Sequence, residues 1–463
     1  MAVDDFGTKT IEESALLTDA LDETCPGLVV IFSDGRSKCL PIRLDKKPIE
    51  IGRVAGEGVF VVEDDRVSRR HTRVVLRGDS VRVTDLDSRN GTFVDGKRVM
   101  DETFAKLPRL LRVGQTLFRF TLDIRPFFRA TVEVTAEGIV GPTLRASRDW
   151  IHRAAAAGDT LLLTGPSGSG KELAARAYHA TGRFATGPFI AVNCAAIPQG
   201  LAERLLFGAK KGAYSGATSD AEGYVQAADH GTLFLDEVAE LDLGVQPKLL
   251  RVLEMREVLA LGAAHPKKVD LQVCAATLKD LRAEVSAGRF REDLYHRIGR
   301  PEVRLPSLVE RLEELPALAA SELVRADARL VPSSGFLEEC ARRAWPGNVR
   351  ELLREVRQAA RTALDGGRTV VESKDLSPTA GEEISPEART SAPPELSREA
   401  IEARLKREQG NVTRAARSLG MHRNQLRRWL TRHNVDPKAF GSAAESVDEP
   451  MEPPPGDSRV TKR

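Results

Sequence analysis

Gly165-Pro-Ser-Gly-Ser-Gly-Lys171, directly behind the apolar run Leu161-Leu-Leu-Thr164, constrains this chain more than any other stretch. The run reads as a buried strand. The glycines then let backbone N–H groups close around phosphates, the next helix offers its N-terminus to the same anion, and Lys171 supplies a cation. Gly165, Pro166, Ser167, Gly168, Ser169, Gly170, Lys171 and Glu172 are therefore candidate nucleotide contacts. Glu172 follows where the common motif has Ser or Thr as a magnesium ligand. Farther along, Gly231-Thr-Leu-Phe-Leu-Asp236-Glu237 is an apolar strand ending in two carboxylates. After a phosphate loop, Asp236 is suited to hold Mg2+ through water and Glu237 to polarise an attacking water. Apolar strands alternate with helical patterns throughout this region, which implies a parallel α/β domain over residues 137–375.

A chain of 463 residues has room for about three domains at ~150 residues each. The net charge of +2 decides nothing, so charge must be read locally. Cys25, Cys39, Cys194, Cys274 and Cys340 stand far apart with no CxxC spacing. That is neither a zinc site nor a disulfide framework, and a reducing cytosol is the simplest expectation. The opening residues are too acidic and polar for a signal peptide, and no run approaches the ~18 apolar residues of a membrane helix. A cytoplasmic protein without a membrane partner is expected. Residues 1–24 are polar and expected to be disordered. Residues 25–124 carry short β segments such as Leu28–Phe32, Thr72–Leu76, Val81–Thr84 and Thr116–Leu122, with an Asp95-Gly96 hairpin turn, so an all-β sandwich is expected. Residues 376–394 read as a flexible linker, 395–436 as a small all-α unit, and the Pro-, Ser- and Glu-rich 437–463 as a disordered tail.

Between the two nucleotide motifs lies Gly212-Ala-Tyr-Ser-Gly-Ala217. Two Gly-Ala pairs make a poor helix or strand, and a flexible tip with one aromatic suits contact with a partner. Gly212, Ala213, Tyr214, Ser215, Gly216 and Ala217 resemble the Gly-Ala-Phe-Thr-Gly-Ala loop of sigma-54-dependent transcription activators, AAA+ ATPases that use it to grip the sigma factor. That family also carries Glu at the position of Glu172. The resemblance implies a helical lid, ATP and Mg2+ as ligands, sigma-54 RNA polymerase holoenzyme as partner, and a homo-oligomeric, hexameric ring. It makes Asn193 the residue that holds Glu237 in check. In Gly288-Arg-Phe-Arg291-Glu-Asp-Leu-Tyr-His-Arg297, it makes Arg291 and Arg297 the cations that reach the neighbour's γ-phosphate. Thr277 and Arg350, the latter in Trp345-Pro-Gly-Asn-Val-Arg350, join the ATP contacts as sensors. Five positions depart from the pattern. Tyr214 replaces Phe, Ser215 replaces Thr, and Leu278, whose side chain cannot donate a hydrogen bond, replaces a sensor Asn. The stretch Leu305-Pro-Ser-Leu-Val-Glu-Arg311 stands for Leu-Pro-Pro-Leu-Arg-Glu-Arg.

The two ends carry further resemblances. Gly52-Arg53, Ser68-Arg-Arg-His71 and Ser88-Arg-Asn-Gly-Thr92 occur in the order of a forkhead-associated (FHA) domain, which reads phosphothreonine in proteins or peptides. The resemblance assigns phosphate to Arg53 and Ser68 with Arg69 nearby, and the ligand backbone to Arg89 and Asn90. His71 reads as a structural brace. Gly410-Asn411-Val-Thr-Arg-Ala415-Ala-Arg-Ser-Leu-Gly420 and Met421–Leu430 resemble the helix-turn-helix of Fis-type regulators. From Ser397 to Asn434, ten Arg and Lys face only Glu399, Glu402 and Glu408, the electrostatic footprint of DNA binding. Arg423, Asn424, Gln425, Arg427 and Arg428 are the candidate enhancer-DNA contacts. The leading expectation is an ATP-dependent activator of sigma-54 polymerase under phosphothreonine control. The rival, carried by Tyr214, Ser215 and Leu278, is a DNA-binding regulator whose AAA+ domain no longer engages sigma-54 productively.

Overall fold

The computed structural model describes residues 25–383, apart from 136, 199 and 216, and residues 398–440, apart from 420–425, 428, 431, 432 and 434. The expectations for 1–24 and for most of 437–463 fall outside these residues. Two compact units divide at Glu383.

Eleven strands build the N-terminal β domain: β1 Gly27–Ser33, β2 Arg36–Arg43, β3 Ile49–Gly52, β4 Val59–Val61, β5 Thr72–Arg77, β6 Ser80–Asp85, β7 Thr92–Val94, β8 Lys97–Val99, β9 Asp101–Phe104, β10 Leu110–Val113 and β11 Thr116–Thr121. They form two sheets, β2-β1-β11-β10-β7-β8 and β4-β3-β5-β6-β9. Asp95 and Gly96 both take positive φ, 48° and 78°, as the two-residue turn between β7 and β8 requires. Side chains alternate across each strand. Leu28, Val30, Leu111, Val113, Phe118 and Phe120 therefore fill the space between the sheets.

The opposite face of the first sheet is also buried. Val29, Ile31, Leu110 and Leu117 share one core with Leu308, Leu312, Leu315 and Phe336 of the helical lid that closes the α/β domain. This explains why all seven residues of β1 are buried. Each such aliphatic side chain removed from water stabilises the contact by about 1.5–3 kcal/mol. The short helix Arg125–Arg129 adds Phe127 to the same core. The β domain is thus built onto the lid.

The α/β domain has a parallel five-stranded sheet in the order Phe189–Asn193, Thr232–Asp236, Gln272–Thr277, Leu161–Thr164, Glu302–Arg304. Helix Lys171–Thr181 follows the phosphate loop, and helices Leu315–Ala326, Ser334–Arg342 and Asn348–Asp365 make the lid. Residues 376–383, expected to begin the linker, pack instead. Leu376 and Ala380 enter the lid core, Arg343 donates to the carbonyls of Ser377 and Ala380, and the Ala344 and Trp345 N–H groups both donate to Gly381 O at 3.0 Å. Two apolar side chains among Ser, Pro and Thr are enough to anchor the strand of chain, and composition alone concealed them.

In the second unit, helices Arg398–Arg407 and Val412–Ser418 are described, with Asn411 Oδ1 accepting from the Thr413 and Arg414 N–H groups at 3.1 Å, a helix N-cap. Ile401, Leu405, Ala415, Ala416, Leu426 and Leu430 form its core. The 3₁₀ turn Pro437–Phe440 sets Phe440 against that core. The expected disordered tail therefore does not begin at 437, because an aromatic side chain there has apolar surface to cover. No described helix is long and apolar enough to cross a membrane. All five cysteines are buried and unpaired.

Candidate nucleotide, loop and peptide sites

The ends of the parallel strands and the lid enclose a cleft of about 390 Å³. Ser167, Gly168, Ser169, Gly170, Lys171, Glu172, Asn193, Asp236, Glu237 and Arg350 all line it. Gly165 and Pro166 are not among the lining residues, and their carbonyls accept from Lys171 Nζ at 3.0 and 3.4 Å. Burial lowers the Lys171 ammonium's pKa, and the nearby Glu237 and Asp236 carboxylates act against that shift. Gly168 has φ 71°, and a Cβ there would stand 2.1 Å from Gly347 O, so glycine alone lets the lid reach the loop. Val349 N–H donates to Gly168 O at 3.1 Å and Asn348 Nδ2 to Ser167 O at 2.9 Å across the same contact.

The loop fits a phosphate ligand. Ser169 Oγ is buried with no hydrogen-bond partner among the described residues. Such a hydroxyl is costly unless something polar completes it. Ile139, Leu144, Ile151, Leu318, Val349 and Leu353 line the same cleft and supply the apolar surface a planar base requires. Hard oxygen donors from Asp236 and Glu237 suit Mg2+. Glu172 is exposed and paired with Arg176 at 2.8 Å, one helical turn on.

The expected hold of Asn193 on Glu237 has a different form. Asn193 Oδ1 accepts from the Ala195 and Ala196 N–H groups at 3.0 and 3.3 Å. It is Leu278 N–H that donates to the Glu237 carboxylate, at 3.2 Å. That donor is the main-chain N–H, which any residue but proline would supply at this position, so the missing side-chain donor is not replaced. Thr277 is fully buried, and its hydroxyl accepts from Lys279 N–H at 3.0 Å. Arg291 and Arg297 stand outside the cleft. Arg291 pairs with Asp293 at 2.7 Å on a separate surface, and Arg297 donates to Leu253 O at 3.1 Å.

The Gly212–Ala217 segment is a tight exposed turn in which Gly212 N–H donates to Ala217 O at 2.9 Å and Ala217 N–H to Tyr214 O at 3.0 Å. Ion pairing of Lys210 with Asp220 at 2.6 Å closes its base. Tyr214 stays exposed, and its hydroxyl accepts from Arg204 Nη1 at 2.7 Å. Gly216 lies outside the described residues.

In the β domain, three loops converge on Ser68. Its Oγ accepts from Arg89 N–H at 3.1 Å, and its carbonyl accepts from Arg53 N–H at 3.0 Å. Asn90 Nδ2 donates to Arg66 O at 2.6 Å. The Arg53, Arg69 and Arg89 side chains are exposed around this point, with Arg53 lying 3.5 Å from Asp65. His71 is fully buried, accepts from Ser68 N–H at Nδ1 (3.0 Å) and meets Gly91 O through Nε2 at 3.2 Å. Burial lowers its pKa, so it is a neutral brace between two loops. Of the candidate DNA contacts, Arg427 is described and exposed; Arg423, Asn424, Gln425 and Arg428 lie outside the described residues.

Sequence reasoning passed over Asn348 and Arg311. Asn348 Oδ1 accepts from Leu308 N–H at 2.8 Å while its Nδ2 binds the phosphate loop, and Arg311 Nη2 donates to Ser169 O at 2.5 Å. The available signal was a set of charged residues, Glu310, Arg311, Glu313 and Glu314, threaded between Leu308, Leu312 and Leu315. Charges at such spacing on a short segment enter a core only when paired.

Three family models match the chain: the sigma-54 interaction domain over residues 140–304, the FHA domain over 49–117, and bacterial regulatory proteins of the Fis family over 392–433. The hydrogenase transcriptional regulatory protein HoxA of Bradyrhizobium diazoefficiens is 41% identical over 308 residues, covering 63% of each chain. The DNA-binding transcriptional regulator NtrC of Azospirillum brasilense is 39% identical over 304 residues, 58% of this chain and 63% of NtrC. The transcriptional regulatory protein ZraR of Klebsiella oxytoca is 40% identical over 306 residues, 64% of this chain and 69% of ZraR. The chain thus spans less than two thirds of the length of HoxA and NtrC. With an FHA sandwich, an AAA+ α/β domain and a Fis-type helical unit in that order, the chain belongs to the sigma-54-dependent transcriptional regulators.

Proposed function

We propose that this protein is a ring-forming ATPase that binds enhancer DNA and remodels sigma-54 RNA polymerase holoenzyme under the control of a phosphothreonine-bearing partner. What carries the reading is one cleft that collects Lys171, Asp236, Glu237 and Arg350, with the exposed Tyr214 turn outside it. Lys171 neutralises phosphate charge, Arg350 reports the nucleotide from the lid, and Glu237 takes the proton of the attacking water. Asp236 would hold Mg2+ through water, and the metal would supply charge neutralisation at the phosphates. Arg291 and Arg297, outside their own subunit's cleft, are assigned to the neighbour's γ-phosphate, which makes hydrolysis depend on a homo-oligomeric ring, read as a hexamer. The basic helical unit, with Arg427 and the other candidates, tethers the ring to DNA.

The reading is tested by open-complex formation with purified protein, ATP and sigma-54 holoenzyme on a supercoiled promoter. Opening that requires ATP and this protein is the expected result. ATPase activity without opening would favour the rival, a regulator that no longer engages sigma-54.

The cationic rim around Ser68 is assigned to phosphothreonine. The full chain is expected to bind a phosphothreonine peptide and to ignore its unphosphorylated form in a fluorescence anisotropy titration. Arg53→Ala should weaken that binding by about tenfold or more, the worth of one charge-assisted bond to phosphate. Equal affinity with and without the phosphate would end this part of the reading.

A further inference from the structure

Two cations of the β domain form ion pairs with carboxylates of the lid, beside a third, Arg109, whose Nη1 donates to Arg342 O at 3.4 Å. Arg112 pairs with Glu338 at 2.6 Å. Arg119, in the middle of the otherwise apolar Leu117–Phe120, pairs with Glu313 and donates to Glu310 O at 3.2 Å. The Glu313 carboxylate is wholly buried, and its other oxygen accepts from Thr143 N–H at 3.1 Å. Thr143 lies in the first turn of helix Pro142–Ala157, whose Leu144 and Ile151 are among the apolar residues lining the nucleotide cleft. One residue on, Glu314 accepts from Gly141 N–H at 2.7 Å and pairs with Arg311 at 3.1 Å, the arginine that holds Ser169 O. The segment Leu308–Glu314, two short helical turns broken by a kink at Arg311, therefore ties three bodies together: the phosphate loop, helix Pro142–Ala157 and the β domain.

We propose that Arg119 of the FHA domain is a positioning residue for the nucleotide site of its own subunit, acting through Glu313 on the N-terminus of helix Pro142–Ala157. Nucleotide affinity then depends on this one contact of the FHA sandwich, the Arg119–Glu313–Thr143 path, and not on the interface as a whole. Arg119 itself touches no nucleotide. Its loss releases the carboxylate that holds that helix, so the ground-state complex weakens while Lys171, Asp236 and Glu237 stay in place. The inference rests on the reading of the cleft as an ATP site.

Removing Arg119 alone would leave the buried Glu313 unpaired and threaten folding. The informative variant is Arg119→Met with Glu313→Gln, since Gln keeps an oxygen for Thr143 N–H. The matched control is Arg112→Met with Glu338→Gln, at the same interface and remote from the cleft lining. Both are made in the full chain, with thermal melting as a check on folding and a fluorescent ADP analogue as the binding probe. The Arg119 pair is expected to weaken ADP binding roughly tenfold, a coupling typical of residues acting at second hand, and to raise KM for ATP in step. Its kcat at saturating ATP should stay within about twofold, as loss of ground-state binding alone predicts. The control pair should leave ADP affinity unchanged. A third variant, Thr143→Pro, deletes the N–H that Glu313 holds at the second helical position, in the first turn where N–H groups have no partner within the helix, and should reproduce the loss with the interface intact. Unchanged ADP affinity in the Arg119 pair or in Thr143→Pro, or an equal loss in the control pair, overturns the proposal. A parent protein that binds no ADP would instead refute the nucleotide reading, and the two failures are told apart by that first titration.

Discussion

Glu237→Gln is expected to leave nucleotide binding intact while ATP hydrolysis falls by about 10²–10⁴-fold, the usual worth of a positioned general base. The carboxylate ends an apolar strand at a residue with φ 52°, a strained conformation that persists only where the surroundings enforce it. Leu278 N–H holds it at 3.2 Å, and the amide oxygen of Gln accepts the same bond. The substitution therefore removes basicity and little else. Single-turnover hydrolysis, beside a titration with the fluorescent ADP analogue, separates the two properties. The expected dependence on a ring adds a second readout. Arg291 is engaged by Asp293 within its own chain, and that pair is exposed, so exchanging it for a neighbour's phosphate costs little. Subunits carrying Arg291→Ala mixed with subunits carrying Glu237→Gln should then recover activity above either alone, because some boundaries join an intact carboxylate to an intact arginine. Hydrolysis within tenfold of the parent in Glu237→Gln would remove Glu237 from the role of base.

How far the molecule could be read from its sequence depended on whether the relevant residues lie close along the chain. The phosphate loop, the acidic strand end and the His71 brace are each contiguous, and backbone geometry translates such motifs into position directly. The contact between the β domain and the lid is different. Its ion pair joins residues 194 positions apart, and no local pattern announces it. The two traces in the sequence are the unbroken apolar character of Leu28–Phe32, a strand covered on both faces, and the lone Arg119 in an apolar strand. An unbroken run says that a second cover exists without saying what it is. The same gap explains the linker: Leu376 and Ala380 pack because a lid surface happens to meet them. Composition describes the chain, whereas burial depends on what comes to lie beside it. Leu278 adds a third case, where attention to side-chain chemistry passed over a main-chain donor.

Tyr214→Ala is expected to abolish open-complex formation while basal ATPase stays within about twofold of the parent, as for any contact made outside the chemical step. Tyr214 stays exposed at the tip of a turn closed by its own backbone, so truncating it changes the surface offered to a partner more than the turn itself. Aromatic anchors of this kind carry about 2 kcal/mol or more of a contact, which is ~30-fold in affinity. Tyr214→Phe is the discriminating companion. It keeps the ring face and loses the hydroxyl that Arg204 donates to at 2.7 Å. That bond lies in solvent, where its net worth is about 0.5–1.5 kcal/mol at most, so Phe should activate to within a few fold of the parent. Arg204→Ala, which frees the hydroxyl and keeps the ring, should behave like Phe. A different order of effects would be informative in a definite way. If Phe and Arg204→Ala fail together with Ala, the working element is the Arg204–Tyr214 pair rather than the ring. If Tyr214→Ala opens promoters as well as the parent, the turn is not the working contact, and the rival reading of an AAA+ domain that has left sigma-54 behind becomes the better account of Tyr214, Ser215 and Leu278 together.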